Sequence, residues 1–190
     1  MRRTAQLLAG IALLSGCGSE PISTEIAANA RSRATASEAA VIADHEDVAV
    51  LRRVTDPYHS FQKALDAGYT VKLTDCLEMP PLGGMGFHYG KAAFIDGKVS
   101  VAAPEVLLYE HVRPGKLELL GVEYIVPYTI RSRDDTPPVL YGQRFRRNDV
   151  FQLWALHVWA WKQNPSGLFA DWNPRVTCEH SPTVSTMAHH

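Results

Sequence analysis

Apolar and polar residues follow two different rhythms along this chain, and the change falls near Cys76. Before it, the stretch ATASEAAVIADHEDVAVLRRV (34–54) places Val41, Val48, Leu51 and Val54 at intervals of three or multiples near seven. That spacing predicts an amphipathic helix, broken near Asp44 and His45, with His45 and Glu46 on its solvated side. TDPYHSFQKALDAGY (55–69) predicts a second helix. Asp56 is its N-cap, Pro57 suits the first turn, and Gly68 suits the left-handed C-terminal position. Tyr58, Phe61, Leu65 and Tyr69 form its buried stripe, and His59 lies off it.

After Cys76 the texture is that of strands and turns. FHYGKAAFI runs into Asp96-Gly97, a dipeptide that favours a hairpin. PEVLLYEHV and KLELLGVEYIV flank Pro114-Gly115. A two-residue loop there sets Arg113 opposite Lys116, His111 opposite Glu118 and Val106 opposite Glu123. Val106, Leu108, Glu110, Gly121 and Glu123 then share one face, and Leu107, Tyr109, Leu120, Val122 and Tyr124 the other. In VFQLWALHVWAW, Ala155, His157, Trp159 and Trp161 alternate with Leu156, Val158 and Ala160. Residues 129–149 carry dense charge and two prolines, which predicts a surface loop and a candidate lid. Asn164 to Gly167 and Asn173-Pro174 are turn chemistry. The expected fold class is α+β, with N-terminal helices packed on an antiparallel sheet or small β-barrel of roughly five or six strands.

Composition changes this picture little. A chain of 190 residues with 46% apolar content suits one domain, and a formal charge of −1 gives no electrostatic case for nucleic acid as a partner. The N-terminus adds more. Arg2 and Arg3 precede a short apolar run from Leu7 to Leu14, which reads as an export signal rather than a membrane span. Leu14-Ser15-Gly16-Cys17 matches the bacterial lipobox, which implies cleavage before Cys17 and lipid on its sulfur. Gly18, rather than Asp, fits outer-membrane sorting, so the expected location is the cell envelope, on the periplasmic face of the outer membrane in a Gram-negative cell. The expected organisation is a signal peptide over 1–16, a lipidated tether over 17–33, a domain over 34–180 and a disordered tail over 181–190. With Cys17 taken by lipid, Cys76 and Cys178 form an even pair in an oxidising compartment and are expected to form a disulfide.

No nucleotide loop, serine elbow or His-Glu-x-x-His zinc motif is present in the sequence. The candidate chemistry lies instead in ionisable residues set in apolar strands: His88, Glu105, Glu123 and His157. Burying such groups is expensive unless they are paired, hydrogen-bonded or bound to metal. Two His and two Glu on different strands could converge on a divalent ion with positions open to a ligand. Three glycines, Gly83, Gly84 and Gly86, precede His88. They either bend the backbone into a strand or clear space for something to approach the histidine. Tyr89 and Trp159 are the expected pocket lining. The alternative is a satisfied network in which His157 donates to Glu123 or Glu105, or in which the glutamates pair with Arg144, Arg146 or Arg147. Haem, with His88 or His157 as axial ligand, is a further option, though no Cys-x-x-Cys-His attachment motif exists.

The segments GGMGFHYG, PEVLLYE, GVEYIVP, LHVWAWKQNPSGLF and WNPRVTC together resemble a family of exported bacterial proteins of uncharacterised function. The resemblance covers about residues 50 to 178. It implies a single exported domain and carries no activity, substrate or catalytic residue. The functional expectation is therefore a membrane-anchored lipoprotein that binds a small ligand or a divalent metal ion. The alternatives are a metal-dependent hydrolase or lyase and a non-catalytic module that docks another envelope protein.

Overall fold

A computed structural model describes residues 46–182 and 184–186. The export signal, the lipobox with Cys17, the tether, the first part of the predicted helix over 34–45 and the two terminal histidines lie outside the described residues. The fold is α+β with strands predominating: short helices pack on a strongly curled antiparallel sheet, a half-barrel, and one disulfide ties β1 to the C-terminal segment.

The first helix, α1, is described over residues 46–55 and buries Val48, Leu51 and Thr55, one helical stripe. A 3-10 turn over Asp56–His59 follows, with Pro57 in its first turn. The second helix, α2, is Phe61–Asp66. The predicted single helix over 55–69 is thus two pieces, and its cap position is Thr55 rather than Asp56. Ala64 and Tyr69 are its fully buried positions, while Leu65 is half-buried and His59 is exposed. Gly68 adopts the left-handed φ of 97° expected at the helix end.

The strands are β1 (Val71–Met79), β2 (Gly83–Gly90), β3 (Val106–Arg113), β4 (Lys116–Pro127), β5 (Val139–Leu140), β6 (Gln143–Arg144), β7 (Arg146–Asn148), β8 (Leu153–Val158) and β9 (Val184–Thr186). Seven form one sheet in the order β7-β8-β4-β3-β2-β1-β9, and β5 and β6 form a small separate ribbon. All neighbouring pairs in the large sheet are antiparallel except β1 with β9. Part of the tail expected to be disordered, 184–186, is therefore a strand.

The convex face packs against the helices. Leu107, Tyr109, Val122, Tyr124, Trp154, Leu156 and Val158 join Val48 and Leu51 in the main core. Tyr109 donates its hydroxyl to the Tyr58 carbonyl at 2.6 Å, and Arg52 donates to the Ala160 carbonyl at 2.8 Å, pinning the helices to the sheet. The concave face carries a second core of Val106, Leu108, Leu120, Ile125, Trp159 and Val176.

Register was legible at both ends of the β3–β4 hairpin and not in its middle. Val106 stands opposite Glu123 and Arg113 opposite Lys116, as the two-residue turn requires. Between them two bulges of opposite sense cancel. The first, at Leu120, leaves that residue without a partner and turns it into the concave core, not onto the face with Val122. His111 consequently faces Leu117, not Glu118, and its ring packs edge-on against Phe87.

Two further expectations change. Asp96-Gly97 is not a hairpin turn: β2 ends at Gly90, and residues 91–105 form a long connection in which the Asp96 carboxylate accepts from the Lys98 amide. Residues 129–149 are not a plain loop. Their Tyr141 and Phe145 are buried, the Tyr141 and Tyr124 hydroxyls hydrogen-bond at 2.8 Å, and β7 adds an edge strand to the main sheet.

Cys76 and Cys178 form the expected disulfide, with Cα atoms 5.8 Å apart. It fastens β1 to the segment after Pro174. The glycine run also becomes clear here. Gly83 has φ of 96° and lies so close to the Asn173 carbonyl that a Cβ would stand 2.1 Å from its oxygen. Gly86 has φ of 78° and packs its backbone on Tyr109 in the same way, at 2.3 Å. Both glycines serve bending and close backbone approach, and the register shifts along β1–β2 curl the sheet around the site.

Candidate metal centre

Strand alternation puts His88, Glu123 and His157 on the same, concave face. Glu123 on β4 stands directly opposite His157 on β8. His88 on β2 is separated from β4 by the whole of β3, where it pairs with Leu108. In a flat sheet two strand spacings are roughly 9.5 Å. Curling removes that gap: His88 Nε2 lies 3.6 Å from Glu123 Oε2, and His157 Nε2 lies 3.7 Å from Glu123 Oε1. One ligand atom from each of the three residues lies within 4.8 Å of the other two. All three side chains are buried, at 4%, 7% and 3% exposure.

Burial dominates their protonation. It lowers the His88 imidazole to about 3, helped by His157, and lowers His157 to about 3, helped by the Arg146 charge. Burial raises the Glu123 carboxyl to about 8, with Asp171 and Glu105 adding to the rise. At neutral pH the protein alone therefore holds two neutral imidazoles around a protonated carboxyl, and the contacts are not ion pairs.

Each histidine faces a polar side chain on its far side, but only His88 hydrogen-bonds it. Thr74 on β1 hydrogen-bonds His88 Nδ1 at 2.8 Å, which leaves Nε2 to face Glu123. Asp171, in the turn before Asn173, stands 3.9 Å from His157 Nδ1 and is itself held by Arg146 at 2.8 Å. Neither ring nitrogen of His157 has a hydrogen-bond partner among the described residues. Separations of 3.6 and 3.7 Å exceed hydrogen-bond length, so the expected satisfied network is not formed. Ligands about 2.0–2.2 Å from a tetrahedral ion stand roughly 3.4 Å apart, so three atoms within 4.8 Å of one another need only small adjustments to share one.

The other sequence candidates lie elsewhere. Glu105 is buried just before β3, where its carboxylate accepts from the Ile125 amide at 3.3 Å, and it does not join the cluster. Tyr89, one residue from His88, alternates to the convex face and packs against Phe61 and Tyr109, so it does not line the site. Trp159 stays beside the site: its ring stacks on His157 at 6.2 Å and its indole donates to the Ala170 carbonyl. Trp161 leaves that face, because β8 ends at Val158, and donates instead to Thr55 beside the helices. Neither glutamate pairs with Arg144, Arg146 or Arg147 among the described residues.

The cluster opens into a cleft of two joined lobes, of about 180 and 160 Å³, which share Leu77, Met85, Asn148 and Phe151. One lobe ends on His88 and Glu123, the other on His157, Asp171 and Arg146. These volumes are small for a porphyrin. Sequence reading missed Thr74 and Asp171, and named Arg146 as a partner for the glutamates rather than for Asp171. Thr74 had no visible signal, since its role depends on β1 lying beside β2. Asp171 could have been found only by asking which turn faces the end of β8.

No family model, no curated protein and no solved structure matches this chain.

Proposed function

We propose that this protein is an exported, lipid-anchored binding protein whose curled sheet holds one divalent metal ion through His88, Glu123 and His157, with coordination positions open to the cleft for a small ligand. The observation that carries the reading is the convergence of three buried ligand atoms that do not hydrogen-bond each other, one of them on an imidazole with neither nitrogen hydrogen-bonded among the described residues. Buried polar groups are ordinarily satisfied, so this arrangement favours a bound species over a structural network. Two imidazoles and a carboxylate suit zinc and other first-row divalent ions. Thr74 is the kind of outer partner that fixes histidine orientation in such centres, and Asp171, 3.9 Å from His157 Nδ1, stands where it could take that role for His157. An ion held there would act as a Lewis acid, lowering the pKa of bound water or polarising a carbonyl, the chemistry a hydrolase or lyase uses.

The lipobox at Cys17 and the Cys76–Cys178 disulfide support an exported, membrane-anchored location. The resemblance to exported bacterial proteins points the same way. Titration with Co²⁺ tests the metal reading. Visible absorption of a low-coordinate Co²⁺ complex, lost in Glu123→Gln, supports it. Saturation at zero bound ion in a folded protein refutes it.

A further inference from the structure

The cleft beside the metal centre is divided by chemistry. The lobe that reaches His88 and Glu123 is walled by Leu73, Leu77, Met85, Ile125, Phe151 and Leu153. Its volume, about 180 Å³, equals roughly six water molecules of liquid and suits a short acyl chain or a single ring. Leu73 and Phe151, at 40% and 42% exposure, leave its mouth apolar in solvent. Ile125 and Leu153 at its base belong to the concave core, whereas Leu73 and Phe151 at its mouth are not part of either sheet core.

The second lobe has the reverse character. Arg146 reaches it from β7 and pairs with Asp171, its acidic group, while Arg147 borders it but lays its guanidinium over the Trp154 ring on the other face. The lobe is thus polar and balanced in charge, and a divalent ion beside Glu123 would supply the positive excess at the junction. Arg146 is also close enough to bear on the His157 imidazole. Glu123 and His157 sit where the two lobes meet.

From these walls we infer the ligand class: a small amphiphile with a single anionic head. Its head lies at the junction, between the metal centre and Arg146, and its apolar body fills the Leu77–Ile125–Phe151 lobe. A carboxylate suits this head, since it can bind a divalent ion with one oxygen and a guanidinium with the other. The inference rests on the metal reading for the anchor and charge of the head, and on the two lobes for its polarity and shape.

Calorimetric titration of the purified, zinc-loaded protein tests it, with zinc content measured first. Octanoate is the probe, with acetate as the anion lacking a body and 1-octanol as the body lacking charge. Octanoate should bind roughly tenfold or more tightly than either. Phe151→Ser should remove most of the preference for octanoate over acetate while zinc content stays unchanged. Arg146→Gln should weaken octanoate and acetate alike. If the protein takes up no zinc, the metal centre fails and the anchor with it. If zinc binds but acetate matches octanoate, or octanol matches it, the ligand class alone is overturned. Equal octanoate affinity with and without zinc overturns the placement of the head.

Discussion

Glu123 Oε1 lies 3.7 Å from His157 Nε2 across a directly opposed pair on β4 and β8, and no hydrogen bond joins them. A buried carboxyl facing a buried imidazole at that distance gains little from the contact. The pair becomes favourable when a cation stands between and deprotonates Glu123, because desolvation is then offset by coordination.

Thr74 orients His88 through Nδ1, so it governs how well Nε2 is aimed. Thr74→Val should lower metal affinity about 10- to 100-fold, the range seen when outer partners of ligating histidines are lost. Thr74→Ser should restore most of it. Thermal unfolding of the metal-free variants separates this from a packing role, which would shift the midpoint without a selective loss of affinity.

Glu105 gives a pH dependence. Burial raises its carboxyl from the usual range to about 8 in the folded protein. Folding therefore takes up a proton between the unfolded and folded values, and the folded state binds more protons than the unfolded one there. Stability from this group is full below about pH 4.5 and declines as pH rises toward 8. Glu105→Gln should flatten that slope, by an amount on the order of a few kcal/mol across the window. Denaturant melts of the metal-free protein at pH 5 and 8.5 measure it, and an unchanged slope would remove Glu105 as its source.

How much of this could be read from the chain depends on the range of the interactions. Alternation set Glu123 and His157 each on one face of its own strand, and Pro114-Gly115 set the register that pairs Val106 with Glu123, but the pairing of β4 with β8 is set by strand order, which no local pattern carries. The same logic failed at Leu120, because bulges depend on how the sheet must curl and leave no local signature. His88 meets Glu123 only through that curl, so their convergence was a guess from residue type. Glu105 shared the same sequence signature, an acid within an apolar run, yet its partner is the Ile125 amide. Tyr89 was assigned to the pocket by adjacency to His88, which alternation contradicts.

The disulfide closes a separation of 102 residues and ties β1, which carries Thr74, to the chain near the Asn173 turn. Cys76→Ser with Cys178→Ser should lower stability by about 2–5 kcal/mol. It should also weaken metal binding by loosening β1. Chemical denaturation and a metal titration on the same sample check both effects, and intact affinity in a destabilised variant would detach β1 from the site.

Cys17 tests the address. The wild-type protein should fractionate with membranes and carry the mass of acyl chains on Cys17, since several chains are needed for firm anchoring. Cys17→Ser should abolish both while leaving the domain folded. A wild-type protein of unmodified mass in the soluble fraction would argue against the lipobox.

The most direct measurement is the metal content of the protein, exported to an oxidising compartment and purified without a tag. Elemental analysis should find about one divalent ion per chain, lost in His88→Ala with His157→Ala and in the closer mimic Glu123→Gln. Both variants should remain folded by circular dichroism. A wild-type protein that is folded, metal-free and unable to take up added zinc, or a Glu123→Gln variant with full metal content, would contradict the account.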